Sequence, residues 1–425
     1  MRVETKTAPL VKVGEIAKQV RGVTYSKHEA ESDPREGYLP ILRAMNITEH
    51  GLTYDGLVYV PTANVNERQM LQLGDIVVAA SSGSLEIVGK ASVVETQVKA
   101  SFGAFCKVVR PGPEVYPAYL GHFFRTPGYR STISKLAQGA NINNLKNEHI
   151  GDLEIPLPPL DEQKRIAAVL DKADALRRQR QESLQLTEKL LQSVFLDMFG
   201  DPVDQPQISL SDLLKKPLRN GLSPASGGKF AGTVFTLSAI TRGFFNSSAR
   251  KKAVFAAPPK PTAYVDEAEF LICRGNGNLK LCGQGQFPSN DATGIIFPDT
   301  IIAAAINLQK VSKPYFATLW NQPFVRHQIE AGARTAAGIF KVNQTTLGNI
   351  QIPVPPFERQ IEFGKIAAII KHRRTDLDTS AQYADNLFSS LQQHAFRGEL
   401  GLSSLVLDPS NDITDSIAPA RDHND

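Results

Sequence analysis

Two nine-residue segments of this chain are near-copies of each other, and this repeat limits the possible folds more than any other feature. Residues 155–163 read IPLPPLDEQ and residues 352–360 read IPVPPFERQ, at an offset of 197 residues. Two further pairs are similar at nearly the same offset: TPGYRSTI (126–133) with QPFVRHQI (322–329), and DIVVAASSGS (75–84) with EFLICRGNGN (269–278). A unit of about 200 residues is too long for a solenoid repeat and indicates a duplicated module.

Each module begins with a β-rich segment. Runs such as YLPILRAMNIT and GDIVVAASSG are aliphatic and β-branched and are bounded by Gly, Pro and Asn, which is typical of short strands. One helix is predicted within 117–137 and its counterpart within 313–331, each followed by a polar loop. The globular parts are therefore predicted to be mixed α/β, with a strand order that the pattern does not determine.

Each module ends with a long helix. The first is predicted to follow Pro158-Pro159, with Asp161 as its N-terminal cap, and to stop at Phe199-Gly200; the second is predicted to run from Pro355-Pro356 to about Gly398. Their apolar stripes have near-heptad spacing and predict a coiled-coil pair. The alternative is that each helix packs only against its own globular part.

The ends of the two helices set an expectation for their relative lengths. If LLQSVF, which ends at Phe195, corresponds to LQQHAF, which ends at Phe396, the second helix segment is four residues longer than the first. Four residues are about one helical turn. We therefore expect an antiparallel pair in which the second helix overhangs by about one turn.

Composition excludes several classes of protein. The chain has 425 residues, of which 42% are hydrophobic and 21% charged, as expected for two or three globular domains. It has no run of eighteen apolar residues and no apolar secretory segment at its N-terminus, so a cytoplasmic location is expected. Cys106, Cys273 and Cys282 are expected to be buried free thiols, because their number and spacing fit neither a disulfide scaffold nor a zinc site.

Positive charge is concentrated in one internal block. The net charge of the chain is +4, but residues 201–354 hold sixteen basic and nine acidic side chains, a net charge of +7. Residues 1–157 have a net charge of +1 and residues 401–425 a net charge of −4. The basic block indicates a polyanionic partner. The alternative is a basic surface that serves only solubility.

Sequence motifs of common enzymes are absent. There is no GxxxxGK[ST] loop, no dinucleotide-binding glycine pattern after a strand, no Asn-Pro-Pro-aromatic tetrapeptide and no GxSxG elbow. A chain of this size without such motifs is predicted to be a binding module. An enzyme with an unrecognised site remains the alternative.

The segments 155–202 and 352–400 resemble the two conserved regions of the specificity subunit of type I restriction–modification systems, most specifically in the string PLPPLDEQKRIAAVLD. The resemblance implies an α+β fold: two mixed α/β target recognition domains separated by two long conserved helices that pair as an antiparallel coiled coil. The implied domains are target recognition domain 1 (1–157), a central spacer helix (158–200), target recognition domain 2 (201–354), a C-terminal spacer helix (355–400) and a disordered tail (401–425).

The resemblance also implies a function. A specificity subunit is not itself an enzyme; each recognition domain reads one half of a bipartite site in double-stranded DNA. The helices set the spacing of the halves and dock two methyltransferase (modification) subunits, and restriction motor/nuclease subunits join that core. S-adenosylmethionine and ATP are expected on these partners, and no cofactor or metal on this chain. The alternative of another class is a helical scaffold for a multi-subunit assembly, without DNA readout.

Polar and basic residues on glycine-punctuated loops are the candidates for DNA contact, because their side chains can bond to phosphates and base edges. In the first domain the candidates are Arg43, Ser82, Ser84, Asn141, Asn143, Asn144 and Lys146. In the second they are Arg242, Arg250, Lys251, Lys252, Arg274, Asn276, Asn278, Lys280, Arg334 and Lys341. No catalytic or metal-ligating residue is predicted.

Overall fold

A computed structural model of the chain describes residues 8–48, 51–137, 143–202, 205–336 and 338–398. The chain divides by its internal contacts into two compact units. Unit 1 comprises the residues up to Gln181 together with those from Thr379 onward, and unit 2 comprises Glu182–Asp378. The predicted disordered tail, 401–425, lies outside the described residues.

Unit 1 is built from short strands and short helices, followed by the first half of a long helix. Its strands are β1 (Leu10–Lys12), β2 (Ala17–Arg21), β3 (Tyr38–Leu42), β4 (Ile47–Thr48), β5 (Gly51–Leu52), β6 (Val58–Pro61), β7 (Ile76–Ala79), β8 (Ser81–Ser82), β9 (Ala91–Val93), β10 (Ser101–Phe102), β11 (Cys106–Pro111), β12 (Asn143–Asn144) and β13 (Glu154–Pro156). Its helices are α1 (Val13–Ile16), α2 (Pro117–Phe123), α3 (Pro127–Leu136), α4 (Asn147–Gly151), the first half of α5 (Leu160–Phe199) and the second half of α9 (Phe357–Phe396).

Unit 2 is built from the same kinds of secondary-structure element as unit 1. Its strands are β14 (Gln207–Ser209), β15 (Arg219–Asn220), β16 (Phe230–Phe235), β17 (Arg250–Phe255), β18 (Glu269–Cys273), β19 (Gly275–Asn276), β20 (Gly285–Gln286), β21 (Ile301–Ala305), β22 (Arg334–Ala336), β23 (Ile339–Lys341) and β24 (Gln351–Pro353). Its helices are the second half of α5, α6 (Lys313–Trp320), α7 (Pro323–Gly332), α8 (Gln344–Gly348) and the first half of α9.

The two units share one sheet topology, which explains the sequence repeat. The central sheet has the order β2-β11-β7-β9 in unit 1 and β15-β21-β18-β20 in unit 2, with antiparallel neighbours throughout. The sheet's central strands are buried on both faces. In β7, Ile76 and Val78 pack with the helices, whereas Val77 and Ala79 pack in a second cluster, as strand alternation requires.

The prediction of one helix within 117–137 and one within 313–331 was wrong. Each segment forms two helices, α2 and α3 in unit 1 and α6 and α7 in unit 2. The break falls before Pro127 and Pro323, each of which is the first residue of the second helix. Proline has no N–H for a preceding turn and fixes a φ suited to a helix start, so it ends one helix and begins the next.

The long helices α5 and α9 follow the two Pro-Pro pairs as predicted, but they are equal in length at 40 residues each. The expected four-residue difference was wrong because Phe199, not Phe195, is the counterpart of Phe396 at the offset of 197. Asp161 is the second residue of α5 and not its cap. Gly200 and Gly398, both with positive φ, follow the helix ends.

Within each unit the halves of α5 and α9 pack side by side in opposite directions. In unit 1, Arg177 lies 3.9 Å from Asp385, and its guanidinium lies 4.9 Å from the ring centroid of Phe388. In unit 2, Arg374 forms an ion pair of 2.8 Å with Glu188, while the Phe199 ring contacts that of Phe363 near the start of α9. The two contacts in unit 2 show that the pairing there is antiparallel. In unit 1 the Phe396 ring at the end of α9 lies against Tyr119, whose hydroxyl donates to Pro156 O just before α5, so the pairing is antiparallel there too.

A buried glutamine joins each globular part to its long helix. Gln163 is 1% exposed; it accepts a hydrogen bond from Tyr116 N and donates to the carbonyls of Glu114 and Pro158. Gln360, which is fully buried, makes the same three bonds in unit 2, to Ser312 N and to the carbonyls of Lys310 and Pro355. The repeated nine-residue segment thus encodes this clamp.

A buried carboxylate adds a second connection in unit 1. Asp174 is fully buried and accepts hydrogen bonds from Arg125, Arg177 and Arg178 at 2.8–2.9 Å. Burial opposes ionisation, but the three guanidiniums outweigh it and lower the pKa of Asp174. Its counterpart in the repeat is the exposed Lys371, so this cluster belongs to unit 1 alone.

The prediction for the three cysteines is confirmed, since all are free and buried. Burial raises the pKa of the Cys106 thiol to about 12. Across the ranges that the structure describes, no group of His, Cys, Asp and Glu side chains is arranged to hold a metal ion. None of the helices described combines the length and the apolar character needed to cross a bilayer.

Candidate nucleic-acid interface

In unit 1 a short ladder joins two segments that hold candidate residues. β8 pairs antiparallel with β12, with Ser82 opposite Asn143 and Ser81 opposite Asn144. The ladder continues through Leu145 N, which donates to Ala80 O at 2.8 Å. We call these paired residues ladder 1. It brings together the predicted Ser82, Asn143 and Asn144 from two distant loops, which the sequence analysis considered separately.

The corresponding strands of unit 2 form ladder 2. β19 pairs with β23 and β23 pairs with β22, so Lys341 lies opposite both Gly275 and Arg334, while Asn276 lies opposite Phe340. Val342 N donates to Arg274 O at 2.9 Å, which matches the bond that extends ladder 1. The ladder therefore gathers four of the predicted residues: Arg274, Asn276, Arg334 and Lys341.

The loops that leave β8 and β19 are bent by the same hydrogen bonds. In unit 1, Ser82 Oγ accepts from Ser84 N, and Ser84 Oγ accepts from Glu86 N. In unit 2, Asn276 Oδ1 accepts from Asn278 N, and Asn278 Oδ1 accepts from Lys280 N. These bonds use the acceptors of the side chains, and within the described ranges the hydroxyl and amide donors remain available to a ligand.

Two arginines that the prediction missed hold these loops in place. Arg130 on α3 donates to the carbonyls of Glu86 and Val88, at 2.9 and 2.6 Å. Arg326 on α7 donates to the carbonyls of Lys280 and Cys282, at 3.2 and 2.8 Å. The signal was present, because both arginines occupy the same position of the TPGYRSTI and QPFVRHQI segments. They are positioning residues for the loops.

The remaining first-domain candidates have separate surroundings. Lys146 is exposed next to ladder 1 and lies 3.7 Å from Glu148. Arg43 is half-buried, and its guanidinium donates to Gly56 O at 2.7 Å, so it also braces its own loop. Asn141 lies outside the described residues, and for Asn143 only the backbone is described.

The basic run of unit 2 lies on a two-stranded hairpin separate from ladder 2. Arg250, Lys251 and Lys252 are exposed on β17, which pairs with β16. Strand alternation places Arg250 and Lys252 on one face and Lys251 on the other. Arg250 also has an acidic neighbour, Asp291, whose pKa is lowered by bonds from Ser247 and Ser289 and by the Arg250 charge. Arg242 is exposed in the connection between the two strands.

The two ladders differ in electrostatic character. Ladder 1 presents the uncharged side chains of Ser81, Ser82 and Asn144, with Lys146 beside it. Ladder 2 presents Arg334 and Lys341, both exposed, with Lys280 on the adjacent loop. The ion pairs found in the described part of unit 2 involve Arg219, Arg326, His372 and Arg374, and none of the cations of ladder 2. Among the described residues, the positive charge of ladder 2 is therefore not compensated by ion pairs.

Comparisons with known proteins agree on one group of relatives. Residues 6–186 match the family model described as the type I restriction modification DNA specificity domain. The chain is 28% identical over 409 residues to the type I restriction enzyme EcoKI specificity subunit of Escherichia coli strain K12, covering 91% of this chain and 88% of that protein. It is 29% identical over 420 residues to the StySPI specificity subunit of Salmonella potsdam, covering 93% and 89%.

A solved structure shares the fold. The S subunit of a type I restriction–modification system from M. genitalium superimposes with a TM-score of 0.52 at 16% identity, covering 93% of this chain and 98% of that one. At this level of identity the likeness establishes the fold. The α+β architecture with two long helices is confirmed.

Proposed function

This chain is a homologue of type I restriction specificity subunits over most of its length, and we propose that it selects the DNA sequence on which a type I restriction–modification complex acts. Each unit reads one half of a bipartite site in double-stranded DNA. The chain itself carries no catalysis, which belongs to its partner subunits together with S-adenosylmethionine and ATP. It works in the cytoplasm, where it meets the DNA.

The observation that carries the proposal is the occurrence of the same ladder and the same bent loop in both units with different side chains. The backbone pattern is equivalent, from the pairing of β8 with β12 and of β19 with β23 to the loop hydrogen bonds. Ser82 of ladder 1 corresponds to Asn276 of ladder 2, and Asn144 corresponds to Lys341. A shared backbone structure that carries different hydrogen-bond donors suits the recognition of two unlike half-sites, because the type of donor decides which base edge is bound.

Phosphate contacts would supply most of the affinity. The exposed Arg334 and Lys341 of ladder 2 and the exposed lysines of β17 are suited to this role, because Lys and Arg that neutralise phosphates release bound counterions. We propose the remaining candidates of both domains as a set of base and phosphate contacts. Arg43 also donates to Gly56 O, and Arg274 donates to Asp299 O in the turn before β21.

The outer surfaces of the long helices are suited to bind two modification subunits. Leu186 and Leu190 on α5 are 56% and 52% exposed, and Tyr383 and Leu387 on α9 are 72% and 51% exposed. These two pairs stand at the same positions of the repeat, at the offset of 197. Two equivalent apolar patches on one chain fit two copies of one partner.

A domain exchange tests the two-reader proposal. Residues 1–157 are replaced by the corresponding segment of another specificity subunit, the hybrid is expressed with its modification subunit, and methylated sites are mapped by sequencing genomic DNA. One half of the methylated site should change and the other should persist. The matched control exchanges residues 201–354 and should change the other half. If both halves change in either hybrid, the two units do not read independently.

A further inference from the structure

Phe105 is an exposed aromatic side chain held next to ladder 1. It is 69% exposed, which makes it the most exposed phenylalanine among the described residues, and it belongs to none of the hydrophobic clusters of unit 1. It lies in a tight turn between β10 and β11, closed by a bond of 2.8 Å from Cys106 N to Gly103 O. Such turns favour small polar residues, so local structure gives no reason for a phenylalanine there.

The turn is fixed on both sides. Phe105 O accepts from Ala80 N at 2.8 Å and from Ser81 N at 3.0 Å, which ties it to the first residue of β8. Gly103 N donates to Leu42 O at 2.9 Å, immediately before the candidate Arg43. These bonds fix the backbone of the turn, so only the two rotatable bonds of the Phe105 side chain must be ordered on binding.

Unit 2 has no aromatic residue at the equivalent turn. The same backbone bond is present, from Arg274 N to Thr300 O at 2.8 Å, but the residue in the place of Phe105 is the exposed Thr300. The side chain at this position therefore differs between the two units, although the backbone structure of the turn is the same. Variation at such a position is typical of a residue that determines specificity.

We infer that Phe105 is a specificity-determining residue that packs against the 5-methyl group of a thymine in the half-site read by unit 1. This inference rests on the proposed function. The serine and asparagine donors of ladder 1 suit the polar groups of base edges, and the thymine methyl is the apolar group on the major-groove edge, with which phenylalanine is a suitable contact. Phe105 thus adds an apolar contact to a ladder that otherwise offers hydrogen bonds.

The test begins with methylation mapping for the complex of the full chain with its modification subunit. Phe105→Ala should relax one T·A position in one half of the site and leave the other half unchanged, and Phe105→Leu should retain part of the preference. Binding of duplexes is then measured with thymine at that position replaced by uracil, which removes only the methyl group. Uracil should weaken binding of the unmodified chain by about five- to tenfold and have little effect on Phe105→Ala.

Two matched variants serve as controls. Leu73→Ala removes an apolar side chain of similar exposure, 62%, located before β7 and so at the opposite end of that strand from the turn; Thr300→Ala alters the equivalent turn of unit 2. Both should leave the half-site affected by Phe105→Ala unchanged. An unchanged site in Phe105→Ala, relaxation of both halves, or insensitivity to uracil would overturn the inference. If the unmodified chain directs no bipartite methylation, the proposed function fails instead.

Discussion

The glutamine clamp of unit 1 leads to a prediction for which the equivalent clamp of unit 2 provides a matched control. Gln163→Ala removes one acceptor and two donors from a buried site, and Tyr116 N loses its partner where water has little access. A buried polar group without a partner costs roughly 1–3 kcal/mol. The carbonyl of the exposed Glu114 can be hydrated instead, so we expect a total loss of about 2–3 kcal/mol in the opening free energy of this region.

Amide hydrogen exchange measures this loss of opening free energy at the individual backbone amide that loses its partner. Protection of the Tyr116 amide should fall by roughly 30- to 150-fold, which corresponds to the expected free energy. Gln163→Glu keeps an acceptor for Tyr116 N but places a carboxylate against two carbonyls, so it should preserve that amide bond and still weaken the unit. Gln360→Ala is the matched control, because it should expose the Ser312 amide of unit 2 and leave Tyr116 protected. If the Tyr116 and Ser312 amides stay equally protected in all variants, the glutamines do not stabilise these regions. If one substitution reduces amide protection equally in both units, its effect is not local.

Three further outcomes are expected. The pKa of Asp174 is depressed in the folded protein, so the stability that its carboxylate contributes is present above about pH 4, the usual Asp value, and is lost as pH falls further. Asp174→Asn should therefore remove this acid sensitivity of unit 1, as measured by thermal melts at a series of pH values. Replacing Arg250 and Lys252 with Gln, on one face of β17, should flatten the logarithmic salt dependence of DNA binding by up to about two units, and an unchanged slope would place that face away from DNA. Leu190→Asp and Leu387→Asp should each reduce the bound modification subunits from two to one by light scattering, whereas a retained pair would exclude these patches as docking sites.

The long helices could be predicted from sequence because their boundaries are local. The Pro-Pro pairs precede their starts, and the glycines with positive φ follow their ends. The error in their relative length arose at Phe195 and Phe199, which are one turn apart on the same buried stripe. Periodicity cannot distinguish two such residues, and the offset of the repeat was the better guide.

The ladders could not be predicted because their strands are two or three residues long, and the pairings of β8 with β12 and of β19 with β23 cross large sequence separations. Ser82 and Asn143 were both chosen as candidates, but nothing local indicates that they lie opposite each other. The supporting role of Arg130 and Arg326 was missed for a related reason. A repeated arginine in a helix predicts an exposed charge, and only the folded loop reveals the carbonyls that it binds.

The division of each long helix between the two units has a consequence for the order in which the protein can be made. Phe388 and Ala395 are part of the core of unit 1, and the Phe396 ring lies 5.1 Å from that of Tyr119. Because the ribosome delivers these residues after all of unit 2, part of the core of unit 1 stays uncovered until the second half of α9 has been synthesised. Unit 2 receives all of its segments earlier and can be complete first. A nascent chain halted before Thr379 would therefore combine a finished C-terminal reader with an unfinished N-terminal one that is prone to aggregate.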